Sequence, residues 1–323
     1  MKKILVTGGA GYIGSIVTRS LLEEDYEVVI LDNLSRGHKQ SIPRRVPFIE
    51  ADIGNVQLVA KTLRTHAIDA VMHFAGYAYV GESMEKPDLY WENNYEKGVR
   101  LLKGMEEAGV RKILFSSSCA VYDMANQLPL TEDSQIGPIS PYGRSKFLFE
   151  RALFLKPSTW SHISLRYFNA AGASFGIGED HRPETHLIPN ALRVALGLTP
   201  SLELSGTDYQ TPDGTCIRDY VHVEDIADAH IRALKALDKP KSFVYNIGSG
   251  KGYSNREVIS MCREVTGHSI PVVETARRPG DAPQCFASAE KIQRELGWAP
   301  KYGLREIIKS AWEWHRENPN GYA

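Results

Sequence analysis

Glycines at positions 8, 11 and 14, in the run Gly8-Gly9-Ala10-Gly11-Tyr12-Ile13-Gly14, restrict the fold more than any other feature of the chain. They follow a short apolar segment, Lys3–Thr7, and open an amphipathic one. In that setting a GxxGxxG turn carries the backbone from a strand into a helix and brings N–H groups against a pyrophosphate. Glycine is also ordinary turn punctuation, so the motif alone decides little. The next apolar run, Glu27–Leu31, ends at Asp32, where a carboxylate can accept hydrogen bonds from adenosine ribose hydroxyls and would repel a 2′-phosphate. The order strand, glycine turn, helix, strand, acid therefore points to a dinucleotide, NAD rather than NADP. The alternative is a plain acidic turn at Asp32-Asn33-Leu34.

Short apolar runs alternate with longer amphipathic ones through the first half, the pattern of βαβ units. Strands are expected near Lys3–Thr7, Glu27–Leu31, Pro47–Glu50, Ala70–Phe74, Lys112–Ser116 and His162–Arg166, with Phe243–Ile247 returning later. Helices are expected over Tyr12–Glu24, Val56–Thr65, Pro87–Ala108 and Tyr142–Leu155. The fold class is α/β: a doubly wound parallel sheet of about seven strands with a smaller mixed α/β C-terminal domain. Residues 1–168, joined by 219–249, are expected to form the first domain. Residues 169–323, mainly 169–218 and 250–323, form the second. After Arg166 the strand signals thin out, and Ala173–Thr185 and Ser205–Arg218 are rich in Gly, Pro, Asp and Thr. Loops this long in a compact domain more often wall a binding site than merely connect.

The 323 residues, 42% hydrophobic, suffice for a large core. A formal net charge of −1 argues against a nucleic-acid binder held by a basic field, so any bound anion must be gripped locally. Cys119, Cys216, Cys262 and Cys285 are far apart and form no CxxC pair, which indicates neither a zinc site nor a disulfide framework. No metal is expected. Reduced thiols, an apolar run Ile4–Val6 too short for a signal peptide and no candidate membrane span together suggest a cytoplasmic protein.

Tyr142-Gly143-Arg144-Ser145-Lys146 places a phenol and an amine four residues apart in an expected helix. Ser140 can cap that helix and Pro141 suits its first position, so Tyr142 and Lys146 share a face about a turn apart. A cation there favours the phenolate of a tyrosine whose free pKa is about 10, making Tyr142 a candidate acid/base. The same spacing is common on solvated helices.

GxxGxxG with YxxxK resembles the extended short-chain dehydrogenase/reductase family. Within it the chain is similar to UDP-glucose (UDP-galactose) 4-epimerases from Lys3 to the tail Asn318-Pro319-Asn320-Gly321-Tyr322. The similarity rests on Asp32-Asn33-Leu34-Ser35, Gly81-Glu82-Ser83, Asn93-Asn94, Phe115-Ser116-Ser117-Ser118, Leu165-Arg166-Tyr167-Phe168-Asn169, Asp213-Gly214-Thr215, Arg218-Asp219-Tyr220-Val221-His222 and Arg278-Pro279-Gly280-Asp281. It implies NAD-dependent C4 epimerisation of a UDP-hexose, UDP-galactose to UDP-glucose, through a transient 4-keto sugar, with NAD bound tightly and regenerated each turnover.

By the same resemblance Ser118 is the catalytic hydroxyl, Tyr142 the acid/base and Lys146 the lysine that tunes it and holds the nicotinamide ribose. The implied cofactor contacts are Gly8, Gly11, Tyr12, Ile13, Gly14, Asp32, Asn33, Ser35, Asp52, Ile53, Phe74, Ala75, Gly76, Asn93, Ser116, Tyr142, Lys146 and Phe168. Core packing would explain Ile53, Phe74 and Ala75 equally well, and strand-end capping would explain at least one of the serines 116–118. The implied substrate contacts are Ser118, Tyr142, Asn169, His186, Leu187, Glu203, Leu204, Ser205, Arg218, Arg278, Asp281 and Cys285. Arginine suits the diphosphate because its planar fork matches phosphate oxygens.

Three positions depart from the family pattern. Tyr77-Ala78 stands where some members carry a cofactor-side lysine, Asp123 where glycine is usual, and Cys285 where some have a bulky tyrosine near the sugar. The last leaves volume for an N-acetyl group. A UDP-N-acetylhexosamine or UDP-pentose 4-epimerase, another nucleotide-sugar enzyme of the family, and a non-catalytic dinucleotide sensor remain as alternatives. Cys119-Ala120 after Ser118 disfavours a dehydratase, which needs an Asp-Glu pair there. The resemblance also implies a homodimer packed through Pro87–Ala108 and Tyr142–Leu155, with Phe147, Leu148 and Phe149 as contacts, and no nucleic-acid or membrane partner.

Overall fold

The computed structural model describes residues 2–238, 242–278 and 280–322; Pro279 of the Arg278–Asp281 segment lies outside them. The chain divides into two compact units, Met1–Asp123, Gln135–Tyr167 and Ala227–Tyr245 forming one, Met124–Ser134, Phe168–Ile226 and Asn246–Ala323 the other.

The first unit is built on β1 (Lys3–Thr7), β2 (Glu27–Asp32), β3 (Phe48–Glu50), β4 (Ala70–His73), β5 (Lys112–Ser118) and β6 (Ser161–Tyr167). With a later strand, Ser242–Ile247, at its edge, the sheet has seven strands, in the order Ser242–Ile247, β6, β5, β4, β1, β2, β3. The pairs β1–β2, β2–β3, β1–β4, β4–β5 and β5–β6 are all parallel. Strand order therefore reverses at β1 and β4, and ligands of such sheets bind beyond the carboxyl ends of the strands at that point. Helices α1 (Tyr12–Glu23) and α2 (Val56–Thr65) make the first crossovers. Leu5, Val29, Leu31, Val71, Ile113 and Phe115 from the strands bury against Leu63, Leu101, Met105, Phe149 and Leu153. Strands buried on both faces read as unbroken apolar runs, which is why they are evident in the sequence.

The stretch from Pro87 to Ala108 is not the single α-helix that its apolar pattern predicts. After α3 (Val80–Glu85), α4 (Pro87–Tyr90) runs into a π-helical turn, Trp91–Glu96, before α5 (Lys97–Ala108) resumes. The wider turn accompanies a specific contact. Asn94 is buried and brackets Tyr77, accepting from its N–H at 2.8 Å and donating to its carbonyl at 2.9 Å. Single π turns of this kind recur at functional sites. Helix α6 (Pro141–Phe154) closes this part of the unit.

In the second unit the strands are short: β7 (Asn169–Ala171), β8 (Leu202–Ser205), β9 (Ile217–His222), β11 (Gly252–Ser254), β12 (Val272–Thr275) and β13 (Gln284–Cys285); β10 is the edge strand Ser242–Ile247 of the large sheet. β9 lies between β11 and β13 and also pairs with β7, while β8 pairs with β12. β9 is therefore part of the small sheet, not of the large one to which residues 219–222 are assigned from sequence. Helices α7 (Leu187–Ala195), α8 (Val223–Ala236), α9 (Asn255–Thr266), α10 (Glu290–Leu296) and α11 (Leu304–Glu317) complete the chain. Leu192, Leu204, Tyr220, Val258, Ile259, Ile307 and Ile308 form this unit's core. No helix among the described residues is long and apolar enough to cross a membrane.

Candidate active site

The glycine turn packs tightly. Gly8 has φ 72°, and a Cβ there would lie 2.4 Å from the Ala75 nitrogen, so only glycine fits between β1 and the end of β4. Phe74 and Ala75 both donate to the Thr7 carbonyl, at 2.9 and 3.1 Å. Gly11 is the N-cap of α1, which has neither a side-chain cap nor an acidic residue in its first turn. Such an N-terminus offers N–H groups and a positive dipole end to an anion. Asp32 is buried at the end of β2; Ala10 N–H donates to Oδ2 at 3.0 Å and Leu34 N–H to Oδ1 at 2.8 Å. Burial pushes its pKa up against those bonds. Two backbone donors leave a carboxylate with further acceptor sites for ribose hydroxyls.

Ser35 N–H donates to Asn33 Oδ1, and Asn33 donates to Asp52 Oδ2. Burial raises the Asp52 pKa, but Lys97 at 2.8 Å, the Gly54 N–H and Asn33 together outweigh it and hold the group below its usual range. These contacts set one wall. Ile53 and Ala75 pack in or on the apolar core, so packing accounts for them, and Phe74 lies against the His230 ring at 4.8 Å. Gly76 faces Asn94 and the Lys146 ammonium, each 3.3 Å from where a Cβ would sit. The arrangement of turn, dipole and acid fits a dinucleotide.

Helix α6 begins as its sequence dictates, with Ser140 Oγ accepting from Gly143 N–H at 3.1 Å and Pro141 in the first turn. Gly143 is there for contact. A Cβ on it would meet the Ala120 carbonyl at 2.2 Å, so its absence lets α6 press onto the 3-10 turn Cys119–Val121 that follows β5. Tyr142 and Ser118 thereby come within hydrogen-bonding reach. Ser118 Oγ also accepts from Ala120 N–H at 3.1 Å, so the serine that caps the strand end is the one expected in catalysis. Its hydroxyl proton is still available to donate.

Lys146 is buried, donates to the Ser116 carbonyl at 2.8 Å and lies 5.9 Å from the Tyr142 ring centre. The expectation that this cation brings Tyr142 toward neutrality does not hold in the free chain. Burial pushes Tyr142 up to about 12, opposed by the Ser118 hydrogen bond, and pushes Lys146 down to about 8, opposed by Glu150. Desolvation penalises both charged forms at once.

A pH dependence follows for the free chain. Lys146 falls from 10.5 in the unfolded chain to about 8 when folded, a penalty on the order of 3 kcal/mol that is complete at and below pH 8 and vanishes above 10.5. Stability from this group therefore rises with pH across that window. Denaturant unfolding of wild type and Lys146→Met should show the variant gaining most at pH 7, with its advantage shrinking toward pH 10.5.

Further along the chain, Cys285 of β13 pairs with Arg218 of β9, and Arg218 lies 3.5 Å from Asp281. Arg278 donates to Ser205 Oγ at 3.1 Å, and the Asp281 N–H reaches the Arg278 carbonyl. Asn169 pairs with Tyr220 on the other side of β9. These contacts link Arg218, Arg278, Asp281, Cys285 and Ser205, which are scattered in sequence, while Asn169 lies on β7, paired two residues further along β9. Glu203 is exposed on β8, whereas Leu204 is core and its side chain serves packing. Leu187 starts α7. The His186 side chain lies against Glu179 and Glu184, at 2.8 and 3.0 Å. Phe168 is buried, its N–H on the Ile247 carbonyl.

The departures have local explanations. Asp123 sits where Gly137 opposite it has no Cβ; one would fall 2.6 Å from Asp123 Oδ2. Near Ala78 a cation returns from another loop, because Arg36 lies 4.9 and 5.1 Å from the Tyr77 and Tyr79 rings and pairs with both oxygens of Glu82.

The model of the NAD dependent epimerase/dehydratase family matches residues 4–248. Among curated proteins, the UDP-glucose 4-epimerase of Halalkalibacterium halodurans is 48% identical over 99% of this chain and 97% of its own length. That of Lactobacillus helveticus is 46% identical over 99% of both. Among solved structures, the Bifidobacterium longum UDP-glucose 4-epimerase in complex with NAD+ and UDP has a TM-score of 0.95 at 39% identity, covering 99% of this chain and 100% of the other. The glycine cradle, the Tyr142–Lys146 helix and these full-length likenesses agree: the chain belongs to the NAD dependent epimerase/dehydratase family, among its UDP-glucose 4-epimerases.

Proposed function

We propose that the chain interconverts UDP-galactose and UDP-glucose at C4 through a transient 4-keto sugar, a redox-neutral isomerisation. The observation that carries this is Tyr142 held beside Ser118, one helical turn from buried Lys146. The first unit is the NAD-binding domain, with Gly8, Gly11, Gly14, Asp32 and Asp52 holding the cofactor; the second binds the UDP-sugar. NAD supplies a reversible hydride acceptor for the sugar C4. Tyr142 exchanges a proton with the 4-hydroxyl oxygen, Ser118 steadies that oxygen, and the Lys146 ammonium stabilises the phenolate as it forms. Arg218 and Arg278 grip the diphosphate. With binding energy spent on the non-reacting nucleotide, the hexose is held loosely enough to present its other face.

Turnover in D2O tests this pathway. The epimerised sugar should keep protium at C4, because that hydrogen leaves and returns without meeting solvent. Deuterium at C4 would mean removal as a proton and would sink the proposal.

Cys285 favours a second substrate. It is half-buried beside Arg218 and small, so an N-acetylhexosamine is accommodated as well. Cys285→Tyr should lower kcat/KM for UDP-N-acetylgalactosamine at least about tenfold more than for UDP-galactose, since filling a pocket discriminates by roughly 1–3 kcal/mol. Equal losses would remove Cys285 as the determinant. Two copies would assemble through the π turn with α5 and through α6, where Trp91, Val99 and Phe154 are exposed apolar residues; Phe149, in contrast, is core, and Phe147 and Leu148 are only half-buried. Sedimentation at twice the 36.0 kDa chain mass would bear this out, and a monomer would refute it.

A further inference from the structure

The loop between β7 and α7 carries two Glu-x-His steps, Glu179-Asp180-His181 and Glu184-Thr185-His186. A search led by cysteine spacing passes over them. The fold brings all four side chains to one point, with one ligand atom from each lying within 4.8 Å of the others. Glu179 Oε1 lies 2.8 Å from His186 Nδ1 and 3.1 Å from His181 Nδ1, while the Glu184 oxygens lie 3.0 Å from His186 Nδ1 and 3.9 Å from His181 Nδ1. We propose that Glu179, His181, Glu184 and His186 form a site for a divalent first-row transition metal, zinc foremost, that fastens this loop at the start of α7.

The donor set is two imidazole nitrogens and two carboxylates, the chemistry of zinc and its neighbours rather than of calcium or magnesium, which take oxygen ligands. Four donors held tetrahedrally at about 2.0–2.2 Å from a metal stand roughly 3.4 Å apart. The observed separations of 2.8 to 3.9 Å straddle that value, so small side-chain adjustments would admit the ion. Two carboxylates converging on one point, one of them buried, repel each other unless positive charge lies between them. A dication supplies it to all four groups at once. Protonated imidazoles would do so through hydrogen bonds alone, which is the competing account.

The surroundings orient the donors. The Thr185 and His186 N–H groups both donate to Glu184 Oε1 at 2.8 Å, fixing that carboxylate. Asp180, between the first two donors, accepts instead from Tyr322 N–H at 3.0 Å and from Arg182. Trp314 of α11 donates to the Gly176 carbonyl at 3.2 Å. The C-terminal tail and α11 thus tie down the loop that carries the four donors. Ligands braced in this way are typical of metal centres, where loss even of a supporting contact costs about 10–100-fold in affinity.

The test uses the full chain, stripped with a chelator and titrated with cobalt(II) and then zinc. One equivalent of cobalt should give the visible absorption of a four-coordinate ion, and zinc should displace it. His181→Gln and Glu184→Gln should each weaken binding by at least about 100-fold, beyond the supporting-contact range, while His268→Gln, at an exposed histidine, should leave it unchanged. Circular dichroism and retained NAD would establish that each variant is folded, and having two variants keeps the test decisive should one unfold. Absence of the cobalt spectrum in the wild type, or uptake that all three variants share equally, would overturn the site and leave a hydrogen-bonded His–Glu cluster.

Discussion

Tyr142→Phe should lower kcat for UDP-galactose by about 10²–10⁴-fold, the range of a positioned acid/base group, while leaving bound NAD in place. Removing the hydroxyl takes away the acid/base group that α6 holds beside Ser118, yet it leaves the ring in its cluster. Tyr90, Tyr79, Tyr77 and Ala120 still pack against it. A phenol whose pKa burial raises to about 12 is a poor base by itself. Its catalytic use therefore depends on positive charge beside it, from Lys146 and from the oxidised cofactor. Lys146→Met should accordingly raise the pH at which the remaining activity appears. If Tyr142→Phe loses turnover and NAD together, the residue is structural and the assignment of acid/base fails.

Glu150→Ala should cost about 3–5 kcal/mol in denaturant unfolding, the usual penalty for leaving one member of a buried ion pair uncompensated. Glu150 and Arg166 are among the most enclosed charges in the first unit, with side chains 1% and 5% exposed. Arg166 Nε and Nη2 donate to the two carboxylate oxygens at 3.0 and 2.7 Å, and Ser117 Oγ donates at 2.5 Å. The pair ties α6 to β5 and β6 between Ser116 and Ser118, so its geometry also sets Tyr142 against Ser118. Glu150→Leu combined with Arg166→Met should recover most of the lost stability, because removing both charges leaves neither stranded. A single substitution costing less than about 1 kcal/mol would show that water reaches the pair. Glu150 is also the charge that supports the Lys146 ammonium. Without it the lysine loses its proton at lower pH, and the alkaline fall in activity should move down with it.

The sheet was legible because most of its strands carry a short apolar run close to turn residues, as in Ile4-Leu5-Val6 before the glycine turn. So were the cap of α6 and the shared face of Tyr142 and Lys146, which depend only on local chemistry. The small sheet was not, since β7, β11 and β13 have two or three residues each and are set by pairing with β9. The π turn at Trp91–Glu96 has no sequence period of its own; it accompanies the grip of Asn94 on Tyr77. The upward shift of Tyr142 runs against the sequence expectation for a similar reason. Charge spacing is written in the sequence, whereas burial is a property of everything packed around the pair. Arg218, Arg278, Asp281 and Cys285 could be named from their motifs, but only the pairing of β9 with β13 brings them together.

Proton NMR of the purified chain with UDP-galactose, UDP-N-acetylgalactosamine and UDP-arabinose in separate tubes, without added reductant, tests the central claim most directly. The C4 configuration of UDP-galactose should relax to a mixture with UDP-glucose, with parallel conversion of the N-acetyl sugar. No conversion of any of the three by protein that demonstrably carries NAD would contradict the epimerase reading and leave another nucleotide-sugar reaction or a sensing role.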